Sequence, residues 1–95
     1  MGIETFPIVR LLWTRTVEQS TINNPIFAHE VLACLERYRA MDWGETDKDD
    51  CRLNDKAVQL KNDRVLARYV TSLGDIFINT EWESGNTVIM FASEY

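Results

Sequence analysis

Five carboxylates crowd one short stretch, Asp42, Glu45, Asp47, Asp49 and Asp50, with Trp43 among them. Acids this dense could hold a divalent cation. However, their spacing does not match an EF-hand loop, and Asp47-Lys48-Asp49 lacks the glycine that such a loop requires. No metal site is therefore predicted. Asp47, Asp49 and Asp50 fall where a helix would start, and the helix dipole there favours negative charge. The remaining acids make a solvated acidic face. That face suits a protein partner with a basic surface, and Trp43 pointing outward would be its anchor, since aromatic residues ringed by charge are common hot spots.

A second constellation, Arg64, Arg68, Asn79, Thr80 and Glu81, lies in predicted strands, and Arg10 in a first strand could join it. With a tight turn at Ser72 to Asp75, Arg68 would stand opposite Asn79, with Glu81 one diagonal away, and cross-strand charge pairs stabilise by about 0.2–1 kcal/mol. Such a patch could form a small enzyme site or ligand pocket. It could equally be the wet face of a half-buried sheet.

No catalytic set assembles. His29 is the single histidine, and it reads as a surface residue of a helix. There is no serine elbow, no glycine-rich phosphate loop and no metal-spaced Cys or His, so no catalytic residue and no cofactor is predicted. Cys34 and Cys51 lack CxxC spacing and read as free thiols of a reducing compartment.

The elements that must carry these residues follow from pattern. Residues 6 to 14 alternate as a strand, with Pro7 at its start because proline cannot donate to a ladder. Thr16 to Asn23 offers at most a short helical turn. Asn24-Pro25 opens a helix by N-capping, with proline at the first helical position. Phe27, Val31, Leu35 and Tyr38, with Cys34 beside them, stripe it as far as Met41. Gly44 allows a left-handed turn. Thr46 and Asp49 resemble a capping box for a second helix to Lys61, with Leu53, Ala57 and Leu60 buried. Strands at 64–71, 76–82 and 87–92 complete a β-α-α-β-β-β order. The fold class is α+β: an antiparallel sheet of about four strands on two helices, as one domain over residues 1–95.

Composition narrows the function. The chain carries a net charge of -5 over 95 residues, and residues 42–55 hold six acids against Lys48 and Arg52. This acidity argues against direct nucleic-acid binding, which needs Lys and Arg to replace phosphate counterions. The apolar fraction of 45% excludes a disordered chain. The start, interrupted by Glu4 and Pro7, does not read as a signal peptide, and no apolar run approaches a membrane span. A cytoplasmic protein is expected. A homodimer through an exposed sheet edge is a further possibility.

Several pieces in order resemble a family of small bacterial proteins carried on plasmids, conjugative elements and phages, often labelled plasmid-related or loosely tied to restriction-modification loci. They are Asp42-Trp43-Gly44, Asp49-Asp50, Asn54-Asp55, Arg64-Val65-Leu66 with Tyr69, Ile76-Phe77-Ile78-Asn79-Thr80-Glu81, Thr87 and the terminal Glu94-Tyr95. The resemblance covers roughly residues 35 to 95. Two departures stand out: Trp82-Glu83-Ser84-Gly85 replaces an Asp-Arg pair after Thr-Glu, and Phe91-Ala92-Ser93 replaces Leu-Pro before the tail. The resemblance implies an accessory protein of a mobile genetic element and no reaction. Joined to the acidity, it yields the leading expectation. This is an interaction module that sterically blocks a host defence complex, as an anti-CRISPR or anti-restriction protein would.

Overall fold

The computed structural model describes residues 7–95, so Phe6 at the expected start of the first strand, and Glu4, lie outside the described residues. The first strand, β1, is Arg10–Trp13, and three helices follow: α1 (Arg15–Asn23), α2 (Pro25–Arg39) and α3 (Lys48–Leu60). Strands β2 (Val65–Tyr69), β3 (Ile76–Glu81) and β4 (Asn86–Phe91) and a 3-10 turn at Ala92–Glu94 complete the chain. The α+β class stands. The helix count is corrected from two to three. Thr14 supplies the reason, because its hydroxyl accepts from Val17 N at 3.3 Å, and Val17 then plugs the core with no exposure.

The sheet is mixed. Its order is β1-β4-β3-β2, with β1 parallel to β4 and the other pairs antiparallel. This corrects the fully antiparallel expectation. The helices between β1 and β2 return the chain so that β1 joins the meander at an outer edge in the direction of β4.

The expected register of β2 on β3 is also corrected: Arg68 faces Phe77, and Asn79 faces Leu66. The connection is longer than a tight hairpin. Thr71 accepts from Gly74 N and donates its hydroxyl to Gly74 O, while the Glu30 carboxylate of α2 takes both the amide and the hydroxyl of Ser72. The chain therefore leaves the ladder at Tyr69 to meet α2.

Asn24 caps α2 through Phe27 N, and of the expected stripe Phe27, Val31 and Tyr38 are buried with Cys34, while Leu35 is only partly buried against them. They pack on Val65, Ala67, Tyr69, Ile76, Ile78 and Ile89 of the sheet. Helix α3 is different. Its N-cap is Asp47, which accepts from Asp50 N at 2.9 Å, while Thr46 is occupied elsewhere. The expected apolar stripe is wrong in phase, since Leu53 and Leu60 are 61% and 52% exposed. Ala57 is buried as expected, and Asn54 faces inward with it, with Cys51 and Val58 partly buried. The helix turns this way because Asn54 has a polar task at the sheet edge.

A buried hydroxyl chain ties α2 to the sheet. Tyr38 Oη lies 2.6 Å from Thr80 Oγ1, which lies 2.7 Å from Thr87 Oγ1. Replacing Thr80 with valine keeps the shape but removes the hydroxyl bonded to both Tyr38 and Thr87, while Tyr38 Oη keeps Val65 O at 3.5 Å. A loss of about 1–3 kcal/mol in urea unfolding is expected, with no change in the midpoint for an exposed control such as Thr16→Val.

Candidate functional site

The loop between α2 and α3 is built from the inside. Trp43 is 4% exposed, stacks edge-on against Tyr38 at 5.4 Å, and donates its indole N–H to Asp55 Oδ1 at 2.8 Å. It is a core residue, and its expected role as an outward anchor is corrected. Large apolar area and a satisfied N–H both favour burial. Asp42 bridges Arg37 Nε at 2.9 Å and accepts from Gly44 N, while its carbonyl accepts from Tyr69 Oη at 2.8 Å. The hydrogen bond from Arg37 holds the Asp42 carboxyl below its usual range despite partial desolvation. Burial disfavours the charged phenolate and pushes the pKa of Tyr69 far above normal, so the phenol stays protonated and a donor. Asp42, Trp43, Gly44 and Asp55 thus serve as a structural lock.

The remaining acids divide. Asp49 pairs with Arg52 on the far side of the first turn of α3. Glu45, Asp47 and Asp50 line one groove of about 290 Å³ together with Thr46, Leu66, Arg68 and Phe77. The groove therefore joins part of the acidic cluster to part of the open sheet face. Its walls are set by main-chain bonds along the outer edge of β2. Glu45 N donates to Arg68 O at 2.7 Å, and Arg68 N donates to Thr46 Oγ1 at 3.0 Å. Asn54 then copies a neighbouring strand, its amide bonding both the N–H and the C=O of Leu66 at 3.2 and 2.9 Å. Asp50, one turn before Asn54 on α3, is carried to the rim by that anchor.

Within the groove the charges do not cancel. Arg68 is held by Asp75, Nε to Oδ2 at 2.7 Å, and lies over the Phe77 ring. Glu45 and Asp50 have no cationic side chain bonded to them among the described residues. The floor is apolar, made by Leu66 and Phe77, and Tyr95 packs edge-on against Phe77 at 5.1 Å.

The other polar constellation does not assemble. Thr80 is buried on the helix-facing side with Ile76 and Ile78, bonded to Tyr38 and Thr87, so its membership of the polar face is corrected. Alternation within β3 already separates position 80 from 79 and 81. Arg64 and Glu81 share a different, shallow pocket with Asp63 and Glu83, and Arg64 lies over the Tyr95 ring. The Asn79 side-chain oxygen is buried without a partner among the described residues. Sequence reasoning missed Leu66 and Phe77 as the floor, although alternation with Arg68 and Asn79 places both on the outer face.

Neither thiol is poised as a nucleophile. Burial raises Cys34, and desolvation followed by the carboxylates of Asp55, Asp47 and Asp50 raises Cys51. Among the described residues no three His, Cys, Asp or Glu side chains gather to hold a metal ion, and no helix is long and apolar enough to cross a membrane.

Among the described residues the fold is α+β, three helices against a four-stranded mixed sheet, with an acidic cleft at the covered edge. Comparison with protein-family models, curated proteins and solved structures finds no match.

Proposed function

We propose that this protein is a non-enzymatic interaction module that takes a basic side chain or short basic segment of a protein partner in the groove of Glu45, Asp47 and Asp50. The observation that carries this reading is three carboxylates at the rim of an apolar floor, with Arg68, the only lining cation among the described residues, already spent on Asp75. A lysine or arginine fits such a site: its methylenes lie on Leu66 and Phe77 while its head meets carboxylates. A volume of about 290 Å³ sits at the low end for ligand pockets, which suits a side chain better than a cofactor. The chain's net charge of -5 adds long-range steering toward a basic surface. A nucleic-acid-binding complex of host defence presents such a surface, so steric blocking in the manner of an anti-CRISPR or anti-restriction protein remains the partner class under this reading. That last element rests on the plasmid and phage resemblance.

The alternative, a small enzyme or ligand pocket on Arg64, Arg68, Asn79, Thr80 and Glu81, loses support because Thr80 faces the core and Arg68 is ion-paired.

Calorimetry with a lysine- and arginine-rich peptide tests the reading. Neutralising the groove with Glu45→Gln and Asp50→Asn together should weaken binding about tenfold, as the loss of two partly screened charge contacts implies. The exposed control pair Glu18→Gln and Glu83→Gln removes the same charge elsewhere and should change affinity by less than about twofold. Equal losses in the two variants would show only diffuse electrostatic attraction and would remove the groove as a site.

A further inference from the structure

The two edges of the sheet are finished differently. At β2 the outward main-chain groups of Leu66 and Arg68 are all taken, by the Asn54 amide and by residues 45–46. At β1 nothing comparable stands among the described residues. Thr14 N donates to Ile89 O at 3.1 Å, and by alternation Leu11 and Trp13 aim their main-chain groups away from β4. No further strand lies beyond them among the described residues, and all four residues of β1 are exposed. The same edge is apolar. Val9, Leu11, Leu12, Trp13, Ile22 and Leu32 are all exposed, and a hollow of about 250 Å³ opens between Trp13, Ile22 and Leu32. A long apolar edge left open is a pairing surface.

We propose that a second copy of this chain pairs with it through β1, antiparallel about a two-fold axis at Leu12, to form one continuous eight-stranded sheet. This register sets Leu11 of one copy opposite Trp13 of the other. Both belong to the helix-facing side, since they align with Thr87 and Ile89 of β4. Leu11 thereby reaches the hollow beside Trp13. Arg10 falls opposite Thr14, whose hydroxyl donates to the Glu94 carboxylate at 2.9 Å, so each copy's arginine meets the other's acid. Moving the axis to Leu11 would instead bring the two Arg10 residues to a diagonal, where like charges destabilise.

The six apolar residues leave about 600 Å² exposed per copy, close to the ~800 Å² per partner of a standard stable interface, and main-chain pairing with the Arg10–Glu94 rim extends it. Because the β2 edge is closed, pairing through β1 stops at two copies, which gives an isologous dimer. The proposal does not depend on the groove.

Sedimentation equilibrium over a wide concentration range should give twice the chain mass of 11.0 kDa. Leu11→Lys should shift that species to monomer while leaving the circular dichroism spectrum unchanged. With Cys51→Ser to remove the partly exposed thiol, Leu12→Cys should cross-link into a covalent dimer on mild oxidation, because residues on the axis stand Cβ to Cβ about 4.5–5.5 Å apart. A monomer mass at every concentration overturns the proposal. So does a dimer that persists in Leu11→Lys or leaves Leu12→Cys uncross-linked.

Discussion

Trp43→Ala is expected to cost about 3–5 kcal/mol, the range for removing a large buried aromatic. The indole fills the space between Tyr38 and α3, and its N–H is the ligand of Asp55. Alanine leaves a cavity and an unpaired carboxylate together. Against a total stability of about 5–15 kcal/mol for a domain of this kind, that loss depopulates the native state measurably at room temperature. Urea unfolding followed by tyrosine fluorescence checks it. Trp43→Phe keeps a six-membered ring but loses the hydrogen bond and part of the indole volume, so a smaller loss of about 1–3 kcal/mol is expected. If Trp43→Ala folded with near-native stability, the indole would not be a core residue and the lock described around it would be wrong.

Gly44→Ala carries the second large effect. Gly44 has φ of +65°, and a β-carbon there would stand 2.5 Å from both Arg68 O and a Tyr69 ring carbon. The first neighbour is backbone and belongs to the bond from Glu45 N that closes the β2 edge. Neither side can yield without opening that edge, and the left-handed conformation adds its own strain. A loss of about 3 kcal/mol is expected from the two together. Hydrogen exchange should show it locally, as faster exchange at Glu45 and Arg68, whose amides take part in that edge. Unchanged protection there would mean that the loop and β2 are not joined as described.

Much of the architecture was legible because it rests on local rules. Asn24-Pro25 announces α2 by capping chemistry, and Phe27, Val31, Cys34 and Tyr38 repeat at helical spacing under the sheet. The turn at Gly44 follows from the conformation that only glycine takes cheaply. What stayed hidden depends on partners distant in sequence. The apolar period of α3 fits Leu53, Ala57 and Leu60, yet Asn54 must reach Leu66, and two strong main-chain bonds outweigh two leucines in setting the rotation of the helix. Likewise the grip of Glu30 on Ser72, 42 residues away, lengthens the β2–β3 connection and moves Arg68 from Asn79 to Phe77. A parallel β1 is equally non-local, since nothing in Arg10–Trp13 itself declares a direction.

The candidate site was half legible for the same reason. Composition exposed the acids at 42–50, but which of them act as lock and which face a groove is decided by Arg37, Arg52 and the edge of β2. Trp43 illustrates the ambiguity: a tryptophan beside acids reads as an interface anchor, and the same residue with Asp55 one helix away is a satisfied core residue.

The groove is tested most directly by titrating the isotope-labelled protein with a lysine- and arginine-rich peptide and following its backbone amide spectrum. The shifts should concentrate at Glu45, Thr46, Asp47, Asp50, Leu66 and Phe77, and should be lost when Glu45→Gln and Asp50→Asn are combined. Shifts spread over every acidic surface, or centred on Asp49 and Glu83 with Glu45, Thr46, Asp47, Asp50 and Leu66 unmoved, would contradict it.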